Sequence, residues 1–177
     1  MEAPIAFRQQ LLGAIPRLRR YARSLVFDTH AADDLVQTAL ERALSHWHQF
    51  DQRRDILVWT ISIAHNAYMD DRRRHARMPI AEPYETQPGD ERHAAEAPDI
   101  GLRMDLVAAL KRLPVEQREP LLLVTLEQLS YAECAELLRI PIGTVMSRIS
   151  RARVALRALL DGAATNPTGV HTLRRVV

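Results

Sequence analysis

One segment, residues 78–99, constrains the fold of this 177-residue chain more than any other. Its sequence, MPIAEPYETQPGDERHAAEAPD, lacks apolar periodicity and holds four prolines and six acidic residues, with Arg92 as the one arginine or lysine. Such a composition is typical of a linker. We therefore expect two folded blocks, residues 1–77 and 100–160, joined by a flexible linker at 78–99 and followed by a tail at 161–177.

Both blocks have a helical composition. Hydrophobic residues make up 47% of the chain and charged residues 26%, which is enough apolar side chain to bury a core. Alanine, leucine and arginine dominate, whereas the chain contains only six glycines and 5% aromatic residues. These proportions favour helices over hairpin-rich sheets. We expect an all-α fold of two small helical domains.

Several classes of protein are disfavoured. A single cysteine, Cys134, can form no internal disulfide, and no apolar run is long enough for a signal peptide or a membrane span. His46 and His48 lie two apart, so on a helix they would point in different directions, and no HExxH motif occurs. The adjacent acids Asp70 and Asp71 also diverge on a helix, which argues against a nuclease site. We expect a cytoplasmic protein with no metal, no cofactor and no catalytic residues.

Helical periodicity recurs through the N-terminal block. The clearest helix is predicted over 33–47, with Asp28 or Thr29 as its N-cap and Asp33 and Asp34 in its first turn. A second is predicted over 59–74, after a loop at 51–55. A third, at about 11–26, contains Pro16, which predicts a break or a new helix at that point.

In the C-terminal block an apolar stripe ends at Pro114, and a second helix follows. If that helix begins at Val115, Pro120 removes a backbone donor from its interior and kinks it. If it begins near Glu119, the proline is a first-turn residue. The sequence leaves both possibilities open.

The stretch 130–157, SYAECAELLRIPIGTVMSRISRARVALR, predicts a helix-turn-helix. Ser130 and Glu133 form a capping box for a short helix, whose buried face is predicted to comprise Ala132, Ala135 and Leu138. A turn is predicted at 139–143, before a longer second helix. In that second helix the residues expected to face the core are Val145, Ile149 and Ala152, with Leu156.

The second helix of this motif is basic. Between Arg139 and Leu160 there is no acidic residue, and arginine occurs five times if Arg139 is included. Arginine binds phosphates and can form two parallel hydrogen bonds to a guanine edge, and a helix fits the major groove. An arginine run alone could equally be the solvated face of a bundle helix. Together with the capped short helix and the turn, it predicts DNA binding.

With these motifs, the chain resembles bacterial RNA polymerase sigma factors of the extracytoplasmic-function (ECF) class. The stretch LKRLPVEQREPLLLVTLEQL and the helix-turn-helix after it are similar to the family's domain four. AADDLVQTALERALSHWHQFD and WTISIAHNAYMDDRRRH are similar to its domain two, and domain three is missing. Two positions depart from the family pattern: His65, where many relatives have arginine, and Pro120, where an aliphatic residue is common.

The resemblance implies three binding surfaces. The helix at 33–47 would dock on core RNA polymerase through five exposed polar candidates: Asp33, Asp34, Gln37, Glu41 and Arg42. The loop at 51–55 and the helix at 59–74 would hold the minus-ten promoter element as single strand, through Asn66 as base reader and Arg53, Arg54, Arg72 and Arg73 as phosphate contacts. The recognition helix would read the minus-thirty-five duplex through seven residues: Thr144, Met146, Ser147, Arg148, Ser150, Arg151 and Arg153.

Each of these candidates also has a simpler interpretation. The polar residues of the polymerase-binding helix could only solvate it, and Asn66 could hydrogen-bond its own helix backbone. Trp59 is expected to pack in the core rather than stack on a base.

The resemblance further implies three partners: core RNA polymerase, promoter DNA and an anti-sigma factor, with no direct insertion into a membrane. Two other functions remain: a stand-alone helix-turn-helix regulator of duplex DNA, and a sigma-like protein that only sequesters a partner. Only an initiating sigma factor needs the N-terminal block as a polymerase-docking and single-strand-binding module. We therefore predict a sigma factor that directs promoter-specific initiation.

Overall fold

The computed structural model describes residues 2–77 and 100–164, and in these two stretches every regular element is helical. The first domain contains α1 (Ile5–Val26), α2 (Thr29–Ser45), a 3₁₀ turn (Trp47–Gln49) and α3 (Ile56–Arg77). The second contains α4 (Ile100–Arg112), α5 (Val115–Thr125), α6 (Tyr131–Leu138) and α7 (Ile142–Ala164). The expected all-α fold of two helical domains is confirmed.

The predicted linker at 78–99 lies outside the described residues, as do residues 165–177 of the predicted tail. The first four residues of that tail belong to α7, because this helix continues past Leu160 to Ala164.

Helix α1 contradicts the break expected at Pro16, because one helix runs from Ile5 to Val26 with the proline inside it. An interior proline removes one helical hydrogen bond and costs about 3 kcal/mol in an isolated helix. Buried side chains on both sides of it, Leu11 before and Leu18 after, pack the two halves of α1 against the rest of the molecule. Tertiary burial offsets the local cost.

Helix α2 begins four residues before its predicted start. Asp28 is the N-cap, and its carboxylate accepts a hydrogen bond of 2.7 Å from the amide of Ala31. Asp33 and Asp34 consequently lie in the second turn, not in the first turn as expected. The sequence pattern offered Asp28 or Thr29 as the cap, and the structure selects Asp28.

The structure also decides between the two possible starts of α5. The helix begins at Val115, directly after Pro114, and Pro120 lies inside it. Pro120 is completely buried, and the next three residues, Leu121 to Leu123, are buried as well. Burial of this apolar stretch compensates for the backbone donor that the proline lacks.

The cores of the two domains are continuous. One cluster of buried side chains runs from Leu18 and Ala22 of α1, through Ile61 of α3, to Leu123 of α5 and Ile149 of α7. Within the described residues the two domains are thus packed directly against each other. Burial of apolar surface contributes to the stability of this closed arrangement, as it does within each domain.

A smaller cluster closes the far end of the first domain, around Phe7 of α1. The Trp59 ring stands edge-on to Phe7 with centroids 6.0 Å apart, and its centroid lies 5.2 Å from that of Phe50. Such tilted pairs are favourable aromatic geometry. The preference for Trp59 as a packing residue is confirmed.

Candidate nucleic-acid interface

The helix-turn-helix starts with the predicted capping box. The Ser130 hydroxyl accepts a hydrogen bond of 3.2 Å from the Glu133 amide, and the Glu133 carboxylate accepts one of 2.8 Å from the Ser130 amide. The Ser130 hydroxyl also donates to that carboxylate at 2.7 Å. These bonds favour the ionised carboxylate and lower the pKa of Glu133. The start of α6 is therefore fixed by local chemistry, as predicted.

The turn is shorter than the predicted 139–143. Arg139 ends α6 in the left-handed region, with φ 55°, and the Ile140 amide donates a hydrogen bond back to the Ala135 carbonyl in the last turn of α6. Helix α7 begins at Ile142, and the carbonyl of Pro141 accepts its first hydrogen bonds. Gly143 lies inside α7 and is not part of the turn.

The buried face of α6 differs from the predicted one. Cys134, Leu137 and Leu138 are buried, whereas Ala132 is exposed and Ala135 is half-buried. The three buried residues are the larger side chains, and their i, i+3, i+4 spacing forms a helical stripe. Burial raises the pKa of the Cys134 thiol to about 12. Cys134 is therefore a buried structural residue, because a thiol with a raised pKa forms little of the reactive thiolate.

Helix α7 has an inner and an outer face, as expected. Val145, Ile149 and Ala152 are at most 1% exposed. The seven predicted minus-thirty-five residues lie outside this stripe and none is buried: Met146, Ser150, Arg151 and Arg153 are exposed, and Thr144, Ser147 and Arg148 are half-buried. The structure therefore brings all seven predicted residues to one helix and leaves them accessible.

One hydrogen bond links two of these residues along the outer face. The Arg151 guanidinium donates to the Ser147 hydroxyl at 3.2 Å, and this hydroxyl donates to the Thr144 carbonyl at 3.0 Å. Residues four apart are neighbours on a helix, so the bond holds the arginine along the surface of α7. No acidic side chain within α7 before Asp161 competes for these cations.

Helix α3 carries three of the predicted minus-ten residues. Asn66 is half-buried, and its amide makes no side-chain hydrogen bond to any residue that the structure describes. Among the described residues, Asn66 therefore does not form the hydrogen bond to its own helix backbone that would have given it a purely structural role. Arg72 and Arg73 are exposed near the end of the helix, where Arg73 donates to Asp70 at 3.3 Å.

The other two minus-ten candidates, Arg53 and Arg54, are exposed on the predicted loop between the 3₁₀ turn and α3. The Asp51 carboxylate accepts a hydrogen bond of 3.0 Å from the Arg53 amide. The Asp55 carboxylate accepts one of 2.7 Å from the Leu57 amide, at the start of α3. Two short side-chain-to-backbone bonds thus fix the loop that presents the two arginines.

Two of these five minus-ten candidates form ion pairs with the second domain. Arg54 contacts Glu136 of α6 at 2.6 Å, and Arg72 contacts Glu116 of α5 at 3.4 Å. The pKa of Glu116 is lowered, first by a backbone hydrogen bond and then by Arg72. No pattern in the sequence indicated these two contacts.

The five polymerase-binding candidates of α2 separate into two groups. Asp34, Gln37 and Glu41 are exposed on one stripe, and the Gln37 amide donates to Glu41 at 2.9 Å. Asp33 and Arg42 are half-buried at the sides of this stripe. Asp33 pairs with Arg19 of α1 at 3.0 Å, and Arg42 lies 3.9 Å from Asp70 of α3. Of the five candidates, Asp34, Gln37 and Glu41 therefore point away from the domain into solvent.

A buried polar cluster at the domain border was missed by the sequence analysis. The Glu119 carboxylate, in a residue only 3% exposed, accepts a hydrogen bond of 2.5 Å from the Tyr21 hydroxyl and lies 2.7 Å from Nδ1 of His65. Burial, and secondly the charge of Glu119, raises the pKa of Tyr21 well above its ordinary value. His65, which departs from the family pattern, therefore takes part in a contact between the two domains.

A second buried carboxylate, Glu127, lies in the segment between α5 and α6 and is 2% exposed. It contacts Arg17 at 3.1 Å and Arg20 at 3.0 Å, both on α1. Arg17 also donates to the Glu127 carbonyl at 2.9 Å. One feature of the sequence could have identified both buried acids: Glu119 and Glu127 lie at the two ends of an apolar run. An acid buried there would need a partner.

Arg118 is the third polar link between the domains and is 6% exposed. Its guanidinium donates to the Leu25 carbonyl, at the end of α1, at 2.8 Å. It also lies 3.4 Å from the carbonyls of Leu110 and Leu113, at the end of α4, and 4.8 Å from the ring centre of Phe27. The Arg118 guanidinium therefore stabilises the C-terminal ends of both α1 and α4, where the helix dipole favours positive charge.

Other kinds of site receive no support from the described stretches. No group of three or more histidine, cysteine, aspartate or glutamate side chains there could hold a metal ion. No helix in residues 2–77 or 100–164 is both long and apolar enough to cross a bilayer. Accessible cations are instead concentrated on the outer face of α7 and at the C-terminal end of α3.

Two family models match the chain. Residues 103–156, which include the helix-turn-helix, match the sigma-70 region 4 model. Residues 11–65, in the first domain, match the model of the sigma2 domain of PhyR.

Relatives extend the match over most of the chain. The ECF RNA polymerase sigma factor EcfG of Rhodopseudomonas palustris is 36% identical over 166 residues, which cover 89% of this chain and 88% of the relative. The ECF sigma factor SigM of Bacillus subtilis is 29% identical over 80% of this chain and 87% of its own.

Solved structures agree with this assignment. Sigma factor RpoE of Bartonella quintana, in complex with the anti-sigma factor NepR, superposes with a TM-score of 0.74. The two are 31% identical over 88% of this chain and 97% of RpoE. CnrH, in complex with the cytosolic domain of CnrY, gives a TM-score of 0.64 at 28% identity, over 89% of this chain and 88% of CnrH. The resemblance first suggested by the helix-turn-helix and the N-terminal helices is confirmed: this chain belongs to the ECF family of RNA polymerase sigma factors.

Proposed function

We propose that this protein binds core RNA polymerase and directs it to promoters that carry a minus-ten and a minus-thirty-five element. The observation that carries the proposal is that both family models match, in order, one on each helical domain. The protein supplies sequence recognition, and the polymerase performs the chemistry. Because it acts on chromosomal DNA with polymerase, we place it in the cytoplasm.

The second domain, residues 100–160, is assigned to the minus-thirty-five duplex. The outer face of α7 supports this role because it is accessible and basic. Met146, Ser147, Ser150 and Arg151 are proposed to contact base edges, whereas Thr144, Arg148 and Arg153 serve phosphates or packing.

The first domain, residues 1–77, is assigned to the polymerase and to the single-stranded minus-ten element. Asn66 supports a base-reading role because its amide has a free donor and acceptor among the described residues. Arg53, Arg54, Arg72 and Arg73 are exposed cations that can follow a phosphate backbone.

The polymerase-docking surface is proposed to be the exposed stripe of α2. Asp34, Gln37 and Glu41 form its centre, while Asp33 and Arg42 lie at its edges. A stand-alone regulator of duplex DNA would use α7 but would have no role for this stripe, so we favour the initiation factor.

We further propose that an anti-sigma factor controls the protein. RpoE was determined in complex with the anti-sigma factor NepR, and CnrH in complex with the cytosolic domain of CnrY. Both RpoE and CnrH resemble this chain over most of its length. The partner would be a protein antagonist that competes with polymerase for the sigma factor.

The test is run-off transcription with core polymerase on a promoter library, followed by sequencing of the products. Start sites that share two spaced elements are expected only when the protein is present. Asp34→Arg should reduce initiation, whereas Gln10→Arg, on an exposed position of α1, adds the same kind of charge and should not. Failure to initiate, with retention of duplex fragments in a pull-down, would favour the stand-alone regulator.

A further inference from the structure

The glycine at position 143 is not explained by the described part of the protein. Gly143 is the second residue of α7, and its φ lies outside the left-handed region, so other residues could adopt this conformation. Apart from its chain neighbours and the backbone of its own helix, no described atom lies within 4 Å of the position that a Cβ would occupy. The turn before α7 ends at Pro141, whose carbonyl accepts the first hydrogen bonds of the helix. An alanine would therefore fit at position 143 of the free protein.

Glycine is nevertheless an unfavourable residue in a helix. It loses more backbone freedom on folding than any other residue, and only proline has a lower helix propensity. Gly143 is also exposed, so burial does not compensate for this cost. One other use of glycine is to let the backbone come close to a ligand. The reason for this glycine is therefore to be sought in a molecule that binds α7.

Gly143 lies on the side of α7 that is proposed to read bases. Residues three, four and seven positions apart share one face of a helix. Counted from Gly143, these positions are Met146, Ser147 and Ser150, which are three of the four residues proposed to contact base edges. The second helix of a helix-turn-helix contacts base edges with its N-terminal residues. Gly143 thus precedes the base-contacting residues at the end of α7 that enters the groove.

The side chains on this face require a short distance between the helix backbone and the bases. The hydroxyls of Ser147 and Ser150 are separated from the backbone by a single carbon, and a hydrogen bond extends to only about 3.2 Å. The Ser150 hydroxyl makes no hydrogen bond to any residue that the structure describes. A helix with its side chains is about 10–12 Å across, and the major groove is about 12 Å wide. A methyl group at position 143 would occupy space that this close fit leaves to the DNA.

The charges at the edges of the outer face of α7 favour the same arrangement. Arg148 and Arg153 lie one on each side of the buried stripe, at the two edges of the outer face, as their helical spacing requires. Phosphate contacts fix the position of a protein on the duplex, and base contacts supply the specificity. With a cation at each edge, the face that includes Gly143 is the part of α7 directed at the bases.

We infer that Gly143 is the point of closest approach between α7 and the minus-thirty-five duplex. The missing side chain lets the α7 backbone come close enough for Met146, Ser147 and Ser150 to reach the base edges. Gly143 is thus a positioning residue, since it sets the depth of α7 in the major groove and reads no base itself. This inference rests on the proposed function of the second domain and deepens it.

The test adds one methyl group at each of two exposed helical glycines. Gly143→Ala is compared with Gly13→Ala in α1, because at both positions an added Cβ has no neighbour within 4 Å beyond its own chain segment. Both variants should have a urea midpoint equal to or higher than that of the unmodified protein, since alanine is the better helix former. A lower midpoint for Gly143→Ala would show an internal role for the glycine and would overturn the inference.

Promoter recognition is measured by run-off transcription with the full chain and core polymerase. One template carries both elements selected from the promoter library, and a second has the same sequence with a scrambled minus-thirty-five element. The unmodified protein and Gly13→Ala should prefer the intact template by the same factor. Gly143→Ala should lower this preference by at least about fivefold, as expected for the loss of one base contact. Its initiation from the scrambled template should equal that of the unmodified protein.

Two transcription results would contradict the role of Gly143. An unchanged preference in Gly143→Ala would show that the backbone does not need to come so close to the duplex. An equal loss on both templates would assign Gly143 to a contact other than the minus-thirty-five element. If the unmodified protein itself showed no preference for the intact template, the proposed function of the second domain would fail instead, so the two failures are distinguishable.

Discussion

Replacement of Arg118 by methionine should weaken the connection between the two domains. The guanidinium is 6% exposed, donates to the Leu25 carbonyl at 2.8 Å and lies 4.8 Å from the centre of the Phe27 ring. Its contacts with the carbonyls of α4 are longer, at 3.4 to 3.5 Å. Methionine retains most of the apolar stem but removes every donor.

The expected cost follows from these contacts. One short hydrogen bond from a charged donor contributes about 1.5–3 kcal/mol, and a desolvated cation–π contact about 1–2 kcal/mol. The longer contacts are near the limit for a hydrogen bond and add little. Burial lowers the pKa of Arg118, which shows that the buried charge carries a desolvation cost that the variant avoids. We expect a net loss of about 2–4 kcal/mol in the free energy of unfolding.

The assay uses the positions of the two tryptophans. Trp47 and Trp59 are both in the first domain, so their fluorescence reports its unfolding, whereas far-UV circular dichroism reports helices of both domains. In the unmodified protein the two urea transitions should coincide, because the core is continuous. In Arg118→Met they should separate, since the link between α1 and the α4–α5 junction is lost.

Arg23→Met is the matched control. Arg23 is an exposed arginine of α1, and its replacement should change the free energy of unfolding by less than about 0.5 kcal/mol. Arg118→Lys should lie between the two, because lysine keeps the charge but not the planar set of donors. A loss below about 0.5 kcal/mol for Arg118→Met, with coincident transitions, would refute this account of the guanidinium.

Three further predictions concern the second domain. Ser130→Ala should cost about 1 kcal/mol, measured by urea denaturation. Because the hydrogen bonds of Ser130 lower the pKa of Glu133, their stabilisation is present above the ordinary glutamate pKa and is lost as the pH falls through the lowered one, so the cost should shrink in acid. Since the pKa of Cys134 is raised to about 12, its reaction with a thiol reagent at pH 8 should be at least about a hundredfold slower in the folded protein than in denaturant, and equal rates would contradict the burial. Arg151→Ala should weaken binding to a cognate promoter by about 1–3 kcal/mol and relax specificity at one base pair, whereas a uniform loss on all DNA would assign Arg151 to phosphate.

Helices and caps could be predicted because they depend on residues close in sequence. The capping box joins Ser130 to Glu133, and the inner stripe of α7 repeats within a few residues. The accessible basic face of α7 follows directly from that stripe. The errors also have local causes: α2 starts at the earlier cap, Asp28, and the turn before α7 ends before Gly143.

The closed arrangement could not be predicted, because it depends on residues far apart in sequence. Glu119 meets Tyr21 across 98 positions, and Glu127 meets Arg17 across 110. Pro16 and Pro120 stay inside helices because tertiary burial outweighs the hydrogen bonds that they remove. The sequence alone therefore determined where most of the helices lie, the helix-turn-helix and the accessible cations, whereas tertiary burial decided that α1 and α5 continue through their prolines. Only the tertiary structure decided which cations meet a carboxylate, since burial of a charge acts through neighbours in space and not along the chain.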